Sequence, residues 1–454
     1  FDLEDQKCNI YFSLLLTAMR LLYMVMSVST FIQRQITQIR QGGSFVVFRK
    51  IKQASQLLAN LPFYIVAVPV VGVIRLIKPW LLVRIGGLIS SRIGHFTANT
   101  ELYLCERDAS IHRPLQRHVD LFYMAYKPIC NRQLATMWKR ILRIWPAWFF
   151  APVAWVNQLF PGGAVHEIGT NIQHDRDVNN LLDRISPHLQ FTIKEEARGE
   201  AGLRNMGIPY GSPFVCLAVR DSAYLETHLK GNDFSYHNYR DTDIQNYVLA
   251  IDELADYGYY VIRMGVQVHQ AINSNNIRVI DYATNGMRND FMDIYLGAKC
   301  EFCISVGTGF DAIPYIFHRP IVYVNMVPLG YLFTFLKKSI GITKHHYKVK
   351  ENREISVTEI FSLGIGFSVL SSDYESKGIQ LIENTPEEIR DVVIEMAKRL
   401  NGSWQPHEDD EVLQNRFWKI FPINAVDSKG IRLHGEIWTR FGAQFLRNNP
   451  EWLC

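Results

Sequence analysis

The sequence predicts an α/β fold of two Rossmann-like domains facing a cleft, preceded by a helical segment that is both apolar and basic. Three observations predict it. Short apolar runs bounded by turn residues, such as 302–306, have the form of strands buried on both faces. They alternate with stretches of helical periodicity, which is the pattern of a parallel sheet. Polar residues recur at the carboxyl ends of the runs, where open parallel sheets hold ligands.

At 454 residues the chain requires two or three domains. A hydrophobic fraction of 48% supplies large cores, and 20% charged residues exclude disorder over most of the length. The net charge of +4 is uneven: residues 1–80 hold nine Lys and Arg against three acids, or +6, which leaves −2 for the remainder. A basic, apolar beginning suits an anionic membrane face and disfavours nucleic acid as a partner. The expected location is cytoplasmic, peripheral on the inner face of the cell membrane. Seven scattered cysteines give no disulfide framework and read as reduced thiols. Cys300-Glu301-Phe302-Cys303 lacks a second pair and is expected to be structural.

Residues 1–79 form the first segment. Its run 9–32 is long enough to span a bilayer, but Arg20 sits at the centre, at a cost of roughly 2.5–3.5 kcal/mol in hydrocarbon. A helix lying in the membrane surface, or packed on another copy in a homo-oligomer, fits better. The run 61–74 is short and carries Pro62 and Pro69, so it reads as re-entrant or interfacial. Asp2, Glu4 and Asp5 replace the basic start that a signal peptide would have.

Residues 80–200 are the first Rossmann-like domain: a strand at 80–85, a Gly-rich loop at 86–94, a helix opening at His95, a strand at 119–124 and a helix at 131–144. The aromatic, Pro-rich stretch 146–163 has no clear placement. A charged linker helix lies within 191–207. Residues 201–405 are the second domain, with strands at 214–219, 259–265, 277–282, 302–306 and 320–325. Helices fall at 244–257 and 386–400, the latter with Glu387 and Glu388 in its first turn and Lys398 and Arg399 in its last. Residues 406–454 are expected as a helical extension.

The strand ends carry the chemistry. Arg220 can fork onto a diphosphate and stabilise it as a leaving group, with Asp221 beside it as a further donor-binding candidate; a structural Arg220–Asp221 salt bridge is the plainer reading. Arg263, Gly265 and Asp281 repeat the arrangement on the next strands. Gly307 and Gly309 permit close backbone approach, and Ser305 and Thr308 add hydroxyls ahead of a helix N-terminus, which together suit a diphosphate. Asp311 is placed to meet hydroxyls of the same ligand. His95 is the candidate general base, with Glu101 in reserve; Arg84, Arg92 and Glu101 are the acceptor-binding candidates, the two arginines on an acceptor's phosphate. Asp241-Thr242-Asp243 precedes a helix and reads as capping rather than metal binding, and His345-His346 as solvated. No metal and no resident cofactor are expected.

The segments Val83-Arg84-Ile85-Gly86, Arg92-Ile93-Gly94-His95-Phe96, Asn99-Thr100-Glu101, Arg220-Asp221-Ser222-Ala223-Tyr224-Leu225 and Ser305-Val306-Gly307-Thr308-Gly309 resemble a bacterial family of glycosyltransferases from surface-polysaccharide clusters, over about residues 80–418. The second domain is also similar to GDP-fucose-dependent fucosyltransferases through Leu217-Ala218-Val219-Arg220-Asp221. Ala218 stands where those enzymes usually have His, and Gly307-Thr308-Gly309 replaces their Ser-Ser pair, which leaves the donor nucleotide open, a GDP-sugar included. The resemblance implies the two-lobed GT-B architecture. It also implies metal-independent transfer of a sugar from a nucleotide-sugar donor in the second lobe to a cell-surface polysaccharide or lipid-linked acceptor in the first. A group transferase of the polysaccharide pyruvyl transferase kind on the same fold, or a non-catalytic assembly protein, are the alternatives.

Overall fold

In the computed structural model, residues 61–168, 175–221, 223, 235–427 and 430–454 are described. The membrane or oligomer reading of residues 1–60 lies outside them, as does most of the polar loop before residue 235.

Within the described residues the chain opens on helix α1, residues 61–76. There follow β1 (Leu82–Leu88), α2 (Ile93–Asp108), β2 (His118–Met124), α3 (Arg132–Ile141), β3 (Ile144–Trp145) and α4 (Ala147–Gln158). The strands form a parallel sheet in the order β1-β2-β3. On one side α1 and α4 close over Val83 and Ile85 with Ala67, Val71, Phe150, Val153 and Val156. The other side buries Leu88, Phe96, Leu102, Phe122, Leu134 and Trp138. The first unit is thus a three-stranded Rossmann-like half. β1 continues to Leu88, so Gly86 lies inside the strand and not at its end.

Helix α5 (Ile193–Asn205) joins the units and starts on a Thr192–Glu195 capping box. The second unit runs β4 (Phe214–Ala218), α6 (Val248–Asp256), β5 (Tyr260–Arg263), β6 (Val279–Ile280), α7 (Asp290–Lys299), β7 (Cys303–Ser305), α8 (Ala312–Ile316), β8 (Ile321–Tyr323) and β9 (Ile340–Gly341). A small antiparallel sheet of β10 (His345–Lys348), β11 (Arg353–Glu354) and β12 (Ile379–Ile382) carries α9 (Val357–Ser362) and α10 (Ser371–Ser376). The chain ends with α11 (Pro386–Leu400), α12 (Asp410–Ile420), β13 (Arg440–Phe441) and α13 (Ala443–Asn448). β13 pairs in parallel with β9 at the edge of the main sheet, so residues 406–454 complete the second unit and are not only a helical extension.

The main sheet is parallel throughout, in the order β13-β9-β8-β7-β4-β5-β6. Counted along the chain from β6, this is the doubly wound order 3-2-1-4-5-6 with one edge strand added. The winding reverses between β4 and β7, where Ala218 and Ser305 sit side by side.

The two units share one buried seam. α2 packs on α8 and on the turn before it, and α3 packs on α7. The Asn131 side-chain amide donates to the Asp290 carbonyl at 2.8 Å, and the Arg132 N–H to the Asp290 carboxylate at 2.8 Å. A single apolar cluster runs from Phe96 and Leu102 to Ile313 and Ile316. No helix among the described residues is long and apolar enough to cross a membrane.

Candidate functional site

A parallel sheet that reverses its winding leaves a crevice at the carboxyl ends of the two strands flanking the reversal. Here those ends lead into Arg220 and into Gly307-Thr308-Gly309. Gly307 has a φ of 77°, a left-handed conformation that glycine adopts without strain. The turn is organised from below by Asp311. Its carboxylate accepts from the Ser305 hydroxyl and, at 2.9 Å, from the Thr308 hydroxyl. Ser305 in turn accepts from the Gly307 N–H at 3.2 Å. Burial pushes the Asp311 carboxyl up to about 6, against the opposing pull of these hydroxyls and of the Arg240 charge.

One guanidinium group meets this turn and a second lies near the first. Arg220 pairs through Nε with Asp241 at 3.1 Å and stays partly exposed. Arg240, which the sequence reading missed, donates to the Gly307 carbonyl. Burial, then the Arg220 charge beside it, pulls the Arg240 guanidinium below its ordinary range. Lys344 was also missed. It is 4% exposed, donates to the Asp241 carbonyl at 2.7 Å, and is pulled down by burial. Both residues had a faint signal: Arg240 immediately precedes the capping run at Asp241, and Lys344 follows the end of β9.

The first unit reaches the same place through α2. A Cβ on Gly94 would lie 3.1 Å from Gly309 Cα, so the two backbones touch. α2 starts at an exposed Arg92 with no side-chain cap and no acidic residue in its first turn. The positive end of a 16-residue helix therefore abuts the Gly-Thr-Gly turn. His95 follows Gly94, half-buried, with Nδ1 3.3 Å from Asn99 Oδ1. α8 spans only five residues and starts beside Asp311, so the longer helix whose N-terminus meets the turn is α2 and not the one expected after it.

Several expected ligands have internal partners instead. Arg84 is 7% exposed and forks onto Asp120, at 2.7 and 2.6 Å, on the neighbouring strand. Glu101 is buried and accepts from the His188 backbone and ring, each at 2.9 Å. Arg263 is 2% exposed, held by the Gln270 carbonyl at 2.5 Å and Asp281 at 3.2 Å. Asp281 also accepts from the Ile272 N–H at 2.9 Å, so this pair braces the loop after β5. Gly265 is small because Val268 and Ala283 pack against it. Asp221 accepts from the Ala223 and His269 N–H groups at 3.0 and 2.9 Å and staples that loop to the end of β4. Ser305 and Asp311 serve the turn's own geometry.

Asp243 caps the following turn, as its place before the helix implies, by accepting from the Gln245 N–H at 2.9 Å. His345 is not solvated: it lies between Glu354 and Glu388, each within 3.0 Å, and His346 beside it is fully buried. Glu101, Cys105 and His188 gather donor atoms of metal-binding type, but the two ring nitrogens of His188 face Glu101 and Asp108 at 2.9 and 3.0 Å, which is an ion-pair arrangement.

No family model matches the chain, and no curated protein does. Among solved structures it is similar to a glycosyl transferase family 9 protein from Veillonella parvula, with 9% identity, 71% of this chain and 97% of that one covered, and a TM-score of 0.38. It is similar to the ADP-heptose LPS heptosyltransferase II of E. coli at 15% identity, 70% and 98% coverage and a TM-score of 0.36. A UDP-GlcNAc 2-epimerase from Neisseria meningitidis, solved with UDP-GlcNAc, aligns at 11% identity, 71% and 100% coverage and a TM-score of 0.25.

Proposed function

We propose that the chain is a glycosyltransferase that takes its sugar from a nucleotide-sugar donor. The observation that carries this reading is the Arg240 guanidinium on the Gly307-Thr308-Gly309 turn, with the Arg220 charge near it, at the reversal of the main sheet. Two like charges held side by side in a partly buried crevice repel each other, and a diphosphate relieves the repulsion. The backbone of the turn and the start of α2 add N–H groups at the same spot. In this reading Arg220 and Arg240 hold the donor diphosphate and stabilise it as it departs. Arg92 faces the acceptor, a polysaccharide or a lipid-linked glycan. His95 takes the proton from the attacking hydroxyl. The chain's own cations provide the charge stabilisation, so the transfer is assigned as metal-independent.

Purified protein tested against UDP-, ADP- and GDP-sugars by thermal shift and by donor hydrolysis examines the proposal directly. At least one sugar nucleotide should stabilise the protein. Arg240→Gln should weaken that binding roughly 10- to 150-fold, the equivalent of a charge-assisted hydrogen bond at 1.5–3 kcal/mol. Undiminished binding in both Arg220→Gln and Arg240→Gln would overturn the site. Stabilisation by phosphoenolpyruvate and by no sugar nucleotide would replace the reaction class while leaving the anion site in place.

A further inference from the structure

The stretch 146–163, which the sequence reading could not place, builds a surface with α1. The two helices lie side by side, joined by Phe63 against Trp148 (centroids 5.3 Å apart), Tyr64 against Trp155 (5.1 Å) and Arg75 over Phe160 (5.8 Å). Their inner faces pack on the β1-β2-β3 sheet. Their outer faces are exposed and apolar: Ile65, Val66, Val68, Val73 and Leu76 on α1, and Trp148, Trp155 and Leu159 on or beside α4. Through residues 61–74, Tyr64 is the one side chain with a polar group. A contiguous face of this kind is larger than the scattered apolar residues normal on a protein surface.

We infer that this face, with the loop 110–118, seats the protein in the interfacial region of an anionic lipid bilayer. Three observations favour lipid over a second protein. A protein interface needs hydrogen-bonding groups around its apolar centre, whereas this helix face offers almost none, and the acyl boundary asks for none. Exposed Trp145, Trp148 and Trp155 are the side chains that settle at the headgroup level. The charge beside the face is complementary to anionic headgroups: the loop carries exposed Arg113 and Arg117 around a fully exposed Leu115. That loop is tied to the turn after α1 and to the start of β1, because Gln116 donates to the Lys78 carbonyl at 3.1 Å and the Leu82 N–H donates to the Arg117 carbonyl at 2.9 Å. The 16 described residues of α1 are about 24 Å long. With one side packed on the sheet, the helix lies along the membrane surface rather than through it. In the sequence, the sixty residues before α1 add seven Lys and Arg against three acids and a long apolar run.

The test uses the full chain, sedimented with vesicles of phosphatidylcholine alone and of phosphatidylcholine mixed with phosphatidylglycerol. The protein should bind the mixed vesicles more tightly, and brominated lipid should quench its tryptophan emission. Val68→Glu with Val73→Glu changes two exposed residues and should lower binding at least roughly tenfold on both vesicles with an unchanged melting curve. Arg113→Glu with Arg117→Glu should remove the preference for the anionic vesicles. Three results would overturn the inference: no sedimentation of the wild type, valine-variant binding equal to wild type (attachment then belonging to residues 1–60), or a wild-type dimer in vesicle-free buffer that the valine variant abolishes.

Discussion

Gly94→Ala probes the contact that joins the two units at the candidate site. The added methyl would lie 3.1 Å from Gly309 Cα and 3.3 Å from its carbonyl oxygen. Both are backbone atoms, so no side chain can swing aside; α2 or the Gly-Thr-Gly turn has to shift by a few tenths of an ångström. Alanine in place of glycine near a helix start returns at most about 1 kcal/mol of helix propensity. Overpacking a close contact costs about 1–3 kcal/mol. The clash wins, and a net loss of about 1–2 kcal/mol is expected in urea unfolding followed by tryptophan fluorescence. Gly309→Ala meets Gly94 N at 3.3 Å and the movable Ile93 methyl at 3.4 Å, so it should lose less. The same shift displaces the turn from Arg240, so stabilisation by a bound nucleotide should fall as well. Equal or raised stability of Gly94→Ala would refute the reasoning, because it would mean that the units are not in backbone contact there.

Other perturbations follow from the same structure. Asp311 is held at about 6 rather than 3.8, so the stability it contributes is fully present below pH 3.8 and is lost as pH rises through 6. Asp311→Asn should therefore gain on the wild type between pH 4 and pH 7, by up to ~3 kcal/mol in urea midpoints converted to free energy, and a constant difference across that range would count against it. Burial opposes protonation of His345, but its hydrogen bonds to Glu354 and Glu388 outweigh this and raise it to about 10. That contribution is complete below pH 6.5 and disappears as pH rises through 10. His345→Gln should cost about 2–3 kcal/mol at neutral pH, a buried-pair value reduced for partial exposure, and should flatten the decline above neutrality measured by thermal melts. Gly199→Ala would drive a methyl into the Tyr295 ring where α5 crosses α7. It should destabilise by about 1–3 kcal/mol in the same urea assay, and retained stability would mean that α5 sits further from the second unit.

Much of the second unit was legible because the central strands of its main sheet are short, apolar and buried on both faces. Arg220 and Gly307 stood out as the polar residues that end such strands. Arg84 and Arg263 have internal carboxylate partners that the sequence does not reveal, for a related reason. A cation in or at the end of an apolar run looks the same in sequence whether it waits for a substrate or pairs with a carboxylate on the adjacent strand. Asp120 is the register partner of Arg84 across β1 and β2, a relation set by strand pairing and not by spacing along the chain. Arg240 and Lys344 escaped notice because a long polar loop and a short basic one have no periodicity to say which residue turns inward. The stretch 146–163 defied placement because α4 is apolar nearly all round, packed on one side and exposed on the other, with Pro152 inside it.

The seam that runs from Phe96 to Ile316 also sets how the molecule comes apart. Halves that bury their oil against each other cannot be separated at the linker without exposing it, so a fragment starting near residue 201 should aggregate through that uncovered surface. The protein should melt in a single cooperative event, and any opening that admits a substrate has to be a local parting at the rim of the crevice, not a wide swing of one half away from the other.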